Sequence, residues 1–210
     1  GTLKISSSLA ALGELAARHS HSLTRPLIFV SVSQGVGGGL ILNDTVYCGS
    51  NGGAGEIGHM SIDADGKLCE CGNRGCLEGV IASGVIGERL GVDSADAFST
   101  LSRRVQAGDA DAKMIYQQLV KHLSTALTSV VNLFSPNCIV IGGEITDLGT
   151  DFIEDLRKRL EKSCGNVPFN VENLQASRLG SKANLYGAAA LVEQQVFPKL
   201  RIPREQVVFV

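Results

Sequence analysis

Residues 52–78 read GGAGEIGHMSIDADGKLCECGNRGCLE. One imidazole and three thiols follow there in the order His59-x9-Cys69-x-Cys71-x4-Cys76. Three thiolates and one imidazole make up the four ligands of a closed tetrahedral zinc site. Gly66, Gly72 and Gly75 permit the tight turns that bring such ligands together. Cys69 and Cys71 have one residue between them, a poor geometry for a disulfide. Cysteines clustered beside a His, with no secretion signal, favour a structural Zn²⁺ and a reducing, cytoplasmic setting. A closed shell has no open position for water, which argues against hydrolytic zinc chemistry. The metal is expected to fix where its neighbours point. Glu56 stands three positions before His59, and Glu78 two after Cys76. Carboxylates held in place accept sugar hydroxyls well; on spacing alone, two solvated glutamates are an equal reading.

Working outward, the 210 residues are 44% hydrophobic, enough for one sizeable α/β domain or two small ones. The net charge of -2 argues against direct DNA contact by this chain, since DNA-reading surfaces carry a basic excess. No apolar run approaches the roughly 18 residues of a spanning helix. Cys48, Cys138 and Cys164 lie in or beside apolar stretches and are expected as small core residues.

The pattern predicts a helix over 8–18 capped by a preceding Ser, then a buried strand at 27–33, LIFVSVS. QGVGGG at 34–39 reads as a turn and LILN at 40–43 as a second strand. So short a link makes the pair a hairpin. IGHMSI at 57–62 is expected as a third strand, and 77–90 as helix broken near Gly84. Helices follow at 94–107 and 109–134. The second is capped by Asp109 and carries one apolar face from Met114 to Phe134, until Pro136 stops it. CIVIGG at 138–143 is a strand with a glycine turn. Thr150–Cys164 is an amphipathic helix, NVENLQAS holds a last strand and 183–196 a last helix. This is an α/β layer architecture. The apolar end of the tail from Pro198 to Val210 is expected to pack on this chain or a partner. A preceding domain is expected upstream of the first helix.

The glycine turns are ambiguous. QGVGGG follows a strand, so Gly35 and Gly37 suit either backbone binding of a phosphate or an ordinary glycine-rich hairpin. It lacks the Gly-Lys-Ser/Thr of a P-loop and opens no helix as a dinucleotide fingerprint would. Gly142 and Gly143, ahead of Glu144, have the same two readings. Asp147-Leu-Gly-Thr150 lies between strand and helix rather than in a hairpin, so it is set aside as a phosphate loop.

Together these residues resemble the ROK family of sugar-responsive repressors and sugar kinases. The likeness rests on Gly52-Gly-Ala-Gly-Glu-Ile-Gly-His59, Cys69-x-Cys71-Gly-Asn-Arg-Gly-Cys76-Leu-Glu78, Asn132-Leu-Phe-Ser-Pro136, Ile139-Val-Ile-Gly-Gly-Glu-Ile-Thr146 and Gly187-Ala-Ala-Ala190. It implies the C-terminal half of an actin-like, hexokinase-like (ribonuclease H-like) α/β fold, with residues 1–210 as the effector domain and a zinc loop at 59–76. The family's phosphate loop and the helix-turn-helix of its repressors would lie upstream. The resemblance places zinc on His59, Cys69, Cys71 and Cys76, and sugar on Glu56, His59 and Glu78. His59 would then bind metal through one ring nitrogen and face the sugar with the other.

The departures matter as much. The family's kinases carry a general-base Asp ahead of Leu-Gly-Glu; here that position falls on Ser6, whose hydroxyl needs a base of its own. The kinases' Gly-Thr-Gly turn reads Ser33-Gln34-Gly35, and their triple glycine reads Gly142-Gly143-Glu144, where a carboxylate repels ATP phosphates. That form is closer to the N-acetylglucosamine repressor and Mlc branch. Two functions stand: the sugar- or sugar-phosphate-sensing, oligomerising part of a repressor, dimeric or tetrameric, that reaches DNA through an upstream domain; or the C-terminal half of a sugar kinase using ATP and Mg²⁺.

Overall fold

The structure, a computed structural model, describes residues 2–17, 26–43, 45–164 and 167–196; for residues 2–6, 181 and 191–196 it describes the backbone alone. β1 (Leu27–Val32) is the central strand of a five-stranded sheet ordered β3-β2-β1-β4-β5. It pairs antiparallel with β2 (Val36–Leu42), as the hairpin predicts, and parallel with β4 (Cys138–Gly142). β5 (Leu174–Ala176) adds parallel to β4, and the two-residue β3 (Thr45–Val46) adds antiparallel to β2.

A parallel pair needs a long crossover. Here the crossover carries the cysteine loop and then α2 (Glu78–Ile81), α3 (Ser83–Leu90), α4 (Ala97–Gln106) and α5 (Ala110–Phe134). α6 (Thr150–Ser163) links β4 to β5. Helices cover both faces of the sheet, so its central strands are apolar at successive positions rather than alternate ones. Ile28, Val30, Val32, Ile139 and Ile141 face the larger core, shared with α3 to α6. Leu27, Phe29, Cys138 and Val140 face a smaller one under α1 (Thr2–Ala17) and α7 (Ala183–Val196).

Local chemistry sets the helix ends. The Asp109 carboxylate accepts the Ala112 N–H at 3.1 Å, the expected cap, and Arg104 holds it at 2.6 Å. Both contacts keep its carboxyl below the ordinary carboxylate range. α5 ends at Ser135, whose φ of 41° leaves the helical region just before Pro136. Met114 is half exposed, off the buried stripe from Ile115 to Val131.

Several expectations are corrected. The first helix begins at Thr2, so the serines near residue 8 lie inside it and cap nothing; Ser7 is buried. Ser6 lies in this helix, and its side chain is outside the described residues. IGHMSI forms no strand: Ile57–His59 is a single 3-10 turn, because Gly58 presses on Val36 and bends the chain there. Cys48 is exposed, whereas Cys138 and Cys164 are buried as expected. Residues 198–210 lie outside the described residues. Among the described residues no helix is long and apolar enough to cross a membrane.

The glycines after Gly35 are not a turn. The turn is Ser33–Gly35, and Gly37, Gly38 and Gly39 run inside β2. A Cβ on Gly39 would strike the Ser7 carbonyl and, at 2.7 Å, the Ala11 methyl of α1; one on Gly38 would strike the Gly55 carbonyl at 2.8 Å. α1 likewise meets α7 backbone to backbone: a Cβ on Gly13 would overlap the Ala183 carbonyl and reach Gly187 N at 2.8 Å. Gly13→Ala is expected to lower stability by about 1–3 kcal/mol or more through overpacking, read as a lower urea midpoint with unchanged slope.

Candidate functional site

The loop before the 3-10 turn is fastened to the sheet. The Gly38 N–H donates to the Gly55 carbonyl at 2.8 Å, and Gly55 adopts a φ of 89° against Gly38. Ile57 is buried, so its neighbours Glu56 and His59 are turned partly outward. The cysteine loop then closes on itself. Ile62 donates to Gly75 at 2.9 Å and Leu77 to Met60 at 3.0 Å, with bridges pairing Ser61 with Cys76 and Leu68 with Arg74. At its tip Cys69 N–H donates to Asn73 and Gly72 N–H back to Cys69. Gly72 and Gly75 hold φ of 92° and 63°, the left-handed region glycine enters freely.

These turns bring together what the spacing suggested. The ligand atoms of His59, Cys69, Cys71 and Cys76 all lie within 4.8 Å of one another, a set able to hold a metal ion. Cys71 Sγ and Cys76 Sγ are 3.5 Å apart, and Cys69 Sγ is 3.8 Å from His59 Nδ1. Tetrahedral zinc, with bonds of about 2.0 Å to nitrogen and about 2.3 Å to sulfur, has edges of about 3.5–3.8 Å, the range of these two pairs. A disulfide would need about 2.05 Å between sulfurs, and all six cysteines are free.

Electrostatics point the same way. Burial, reinforced by the Cys71 and Cys69 thiols, pushes Cys76 up to about 12. A backbone hydrogen bond from Asn73 draws Cys71 down. A cation beside Cys76 would offset the penalty that burial and its neighbouring thiols place on its ionisation. Because ligands must lose protons to bind, metal affinity falls as pH falls.

The carboxylates lie beside this cluster. His59 turns Nδ1 to the sulfurs and Nε2 toward Glu56 Oε2, 3.9 Å away, with both side chains about one-third exposed. Glu78 opens α2 directly after buried Leu77, and its Oε2 accepts the Val36 N–H at 2.7 Å. A Cβ on Gly58, the residue before His59, would strike Val36 as well. A small cavity of about 160 Å³ also borders Glu56. Its other walls include Ile28, Leu40, Met60, Leu133 and Phe134, too apolar to satisfy a sugar's ring of hydroxyls.

The two glycine turns, read separately in the sequence, touch each other. Both follow neighbouring parallel strands, at the same end of the sheet. The Ser33 hydroxyl accepts the Glu144 N–H at 3.0 Å, and the Ser33 carbonyl accepts the Ser83 N–H at 2.8 Å. Gly143 holds a φ of 88°, where a Cβ would meet Ser33 Oγ at 2.8 Å. Gly35 sits in the first turn and Gly142 ends β4, while Gly37 is two residues into the strand against Ser7. Asp147 lies in a 3-10 turn ahead of α6, away from any hairpin. Sequence reasoning missed Ser33 and the Val36 amide; that both turns follow buried apolar strands was the one available signal.

Cys71→Ser is expected to abolish stoichiometric metal in elemental analysis and to lower Tm. Full retention of the metal would remove Cys71 from the ligand set.

Comparison with known proteins shows the family and the fold. The family model described as "ROK family" matches residues 6–195. A putative xylose repressor of Caldicellulosiruptor sp. is 31% identical over 79% of this chain and 45% of its own length. The transcriptional dual regulator NagC of Escherichia coli is 36% identical over 57% and 32%. A glucokinase of Halalkalibacterium halodurans is 28% identical over 90% and 62%. Among solved structures, a ROK hexokinase of Thermus thermophilus superposes with TM-score 0.78 at 28% identity, over 91% of this chain and 64% of its own. A ROK family transcriptional regulator, a homologue of the E. coli MLC protein, gives 0.76 at 30%, over 90% and 50%. The chain thus spans from 32% to 62% of the length of these relatives. The fold is the mixed α/β fold of ROK hexokinases, and the chain belongs to the ROK family, whose members named here are both repressors and sugar kinases.

Proposed function

We propose that this chain is the sugar-sensing and oligomerising part of a cytoplasmic ROK-type transcriptional repressor. A structural Zn²⁺ on His59, Cys69, Cys71 and Cys76 frames a pocket for a sugar or sugar phosphate at Glu56, His59 and Glu78. The observation that carries the choice of repressor over kinase is Glu144. Its amide is taken by the Ser33 hydroxyl, and its carboxylate belongs to the turn where a kinase needs room for nucleotide phosphates. A negative side chain there disfavours a polyphosphate.

Zinc fixes the His59 ring and converges the loop. With Nδ1 committed to the metal, Nε2 carries the proton and donates to a sugar oxygen. Glu78 keeps Oε2 on the Val36 amide and offers Oε1 to a sugar hydroxyl. Glu56 accepts a second hydroxyl and holds the ligand beside His59. Binding shifts the protein between two conformations only through a difference in affinity for them. That shift reaches DNA through a part of the protein outside this chain, and a homodimer or homotetramer passes it between reading heads.

The kinase alternative draws on the glucokinase and hexokinase relatives. It requires ATP, Mg²⁺ and a catalytic Asp where this chain has Ser6. Phosphorylation of glucose or N-acetylglucosamine by the intact protein with ATP, lost on Ser6→Ala, would establish it; sugar-dependent release of an operator fragment without turnover establishes the repressor. For the pocket itself, Glu78→Ala is expected to weaken binding of the responsive sugar about tenfold or more in calorimetry while metal stays bound. Equal affinity would remove Glu78 from the pocket.

A further inference from the structure

Glu78 is held by a backbone amide, not by another side chain, so its aim depends on what holds Val36. Val36 is the first residue after the Ser33–Gly35 turn. The turn's own closing bond is short-range: Ser33 N–H donates to the Gly35 carbonyl at 3.0 Å. Val36 pairs with Val32 in the β1–β2 ladder, and beyond that ladder the turn is tied to the rest of the protein by the hydrogen bonds of Ser33. The Ser33 carbonyl accepts the Ser83 N–H at 2.8 Å, from the first residue of α3. The Ser33 hydroxyl accepts the Glu144 N–H at 3.0 Å, across 111 residues of sequence. Ser33 therefore joins the β1–β2 turn, the start of α3 and the turn after β4.

A second observation singles out the same joint. Among the described residues, two buried side-chain oxygens have no hydrogen-bond partner: Ser83 Oγ and Glu144 Oε2. They belong to the two residues whose amides Ser33 accepts. Unpaired buried polar atoms cost free energy and are rare in folded chains. Two of them flanking one serine mark a joint kept for its geometry rather than for its own stability.

We propose that Ser33 is the positioning residue of the ligand pocket. Its hydroxyl anchors the β1–β2 turn to the Glu144 amide and so fixes the Val36 amide that aims Glu78. Ser33 touches no ligand in this arrangement; it acts through Val36 and Glu78. The same tie gives the turn after β4 a direct influence on the pocket, so movement of that turn changes how Glu78 is presented. This rests on the reading of Glu78 as a ligand acceptor.

The test uses the intact, metal-replete protein titrated with glucose, xylose, N-acetylglucosamine and N-acetylglucosamine 6-phosphate. Ser33→Ala should weaken binding of the responsive sugar about tenfold, the worth of one lost hydrogen bond, with metal content unchanged. Ser33→Thr, which keeps the hydroxyl, should restore it. In a Glu78→Gln background Ser33→Ala should add little, since both act on one contact. Unchanged affinity in Ser33→Ala, or fully additive losses, would overturn the proposal. Amide hydrogen exchange at Val36 reads the joint without a sugar. Ser33→Ala should speed it while β4 amides keep their protection, and an unchanged rate there overturns the proposal. If no sugar binds the wild-type protein yet Val36 exchange responds, the joint stands and the sugar reading of the pocket fails.

Discussion

β2 has no room for side chains along its middle. Gly37 and Gly39 lie against Ser7 and Ala11 of α1, while Gly38 lies against Gly55 and Ile57 of the site loop. Backbone packs on backbone on both sides of one strand. This single constraint sets the depth of the α1–α7 layer on one face. On the other it sets where the chain bends into the 3-10 turn that carries His59. Glycine costs conformational entropy inside a strand. Here that cost is offset by close contacts that any Cβ would forbid.

From that anchor the metal cluster follows mechanically. Gly55, Ile57 and Gly58 fix His59, and the antiparallel zip between Met60–Ile62 and Gly75–Leu77 returns Cys76 to the same place. Cys69 and Cys71 are brought in by the tip turn. The cluster is electrostatically incomplete by itself: burial raises Cys76, and neighbouring thiols oppose its ionisation. A cation relieves both penalties at once. Binding energy from such an ion then becomes folding energy of the loop, and with it the placement of Glu56 and Glu78.

The first residue of β2, Val36, joins Glu78 to the rest of the sheet. In related hexokinases and repressors one fold serves two outcomes, which is the usual relation of fold to function. In this chain the Ser33 hydroxyl and the Glu144 amide meet at a corner between two parallel strands. Ser33 closes that corner with a hydrogen bond, leaving its neighbours Ser83 and Glu144 partly unsatisfied.

Much of this was legible in the sequence because it is governed by local rules. The hairpin, α5 with its Asp109 cap and Pro136 stop, α6 and the last helix follow from periodicity and capping chemistry. The four clustered ligands follow from spacing, because donors within a short glycine-rich loop have few other ways to fold. Two of the failures share one physical cause. IGHMSI has the composition of a strand, and QGVGGG that of a turn; which one bends was decided by Gly58 against Val36 and by α1 lying on β2. Neither contact is local. The sequence alone determined which residues can ligate and where the long helix α5 starts and stops. Only tertiary packing decided that Val36 would hold Glu78, and that two separate glycine turns would meet at Ser33. Those contacts join residues 42 and 111 positions apart, whose proximity no local pattern encodes.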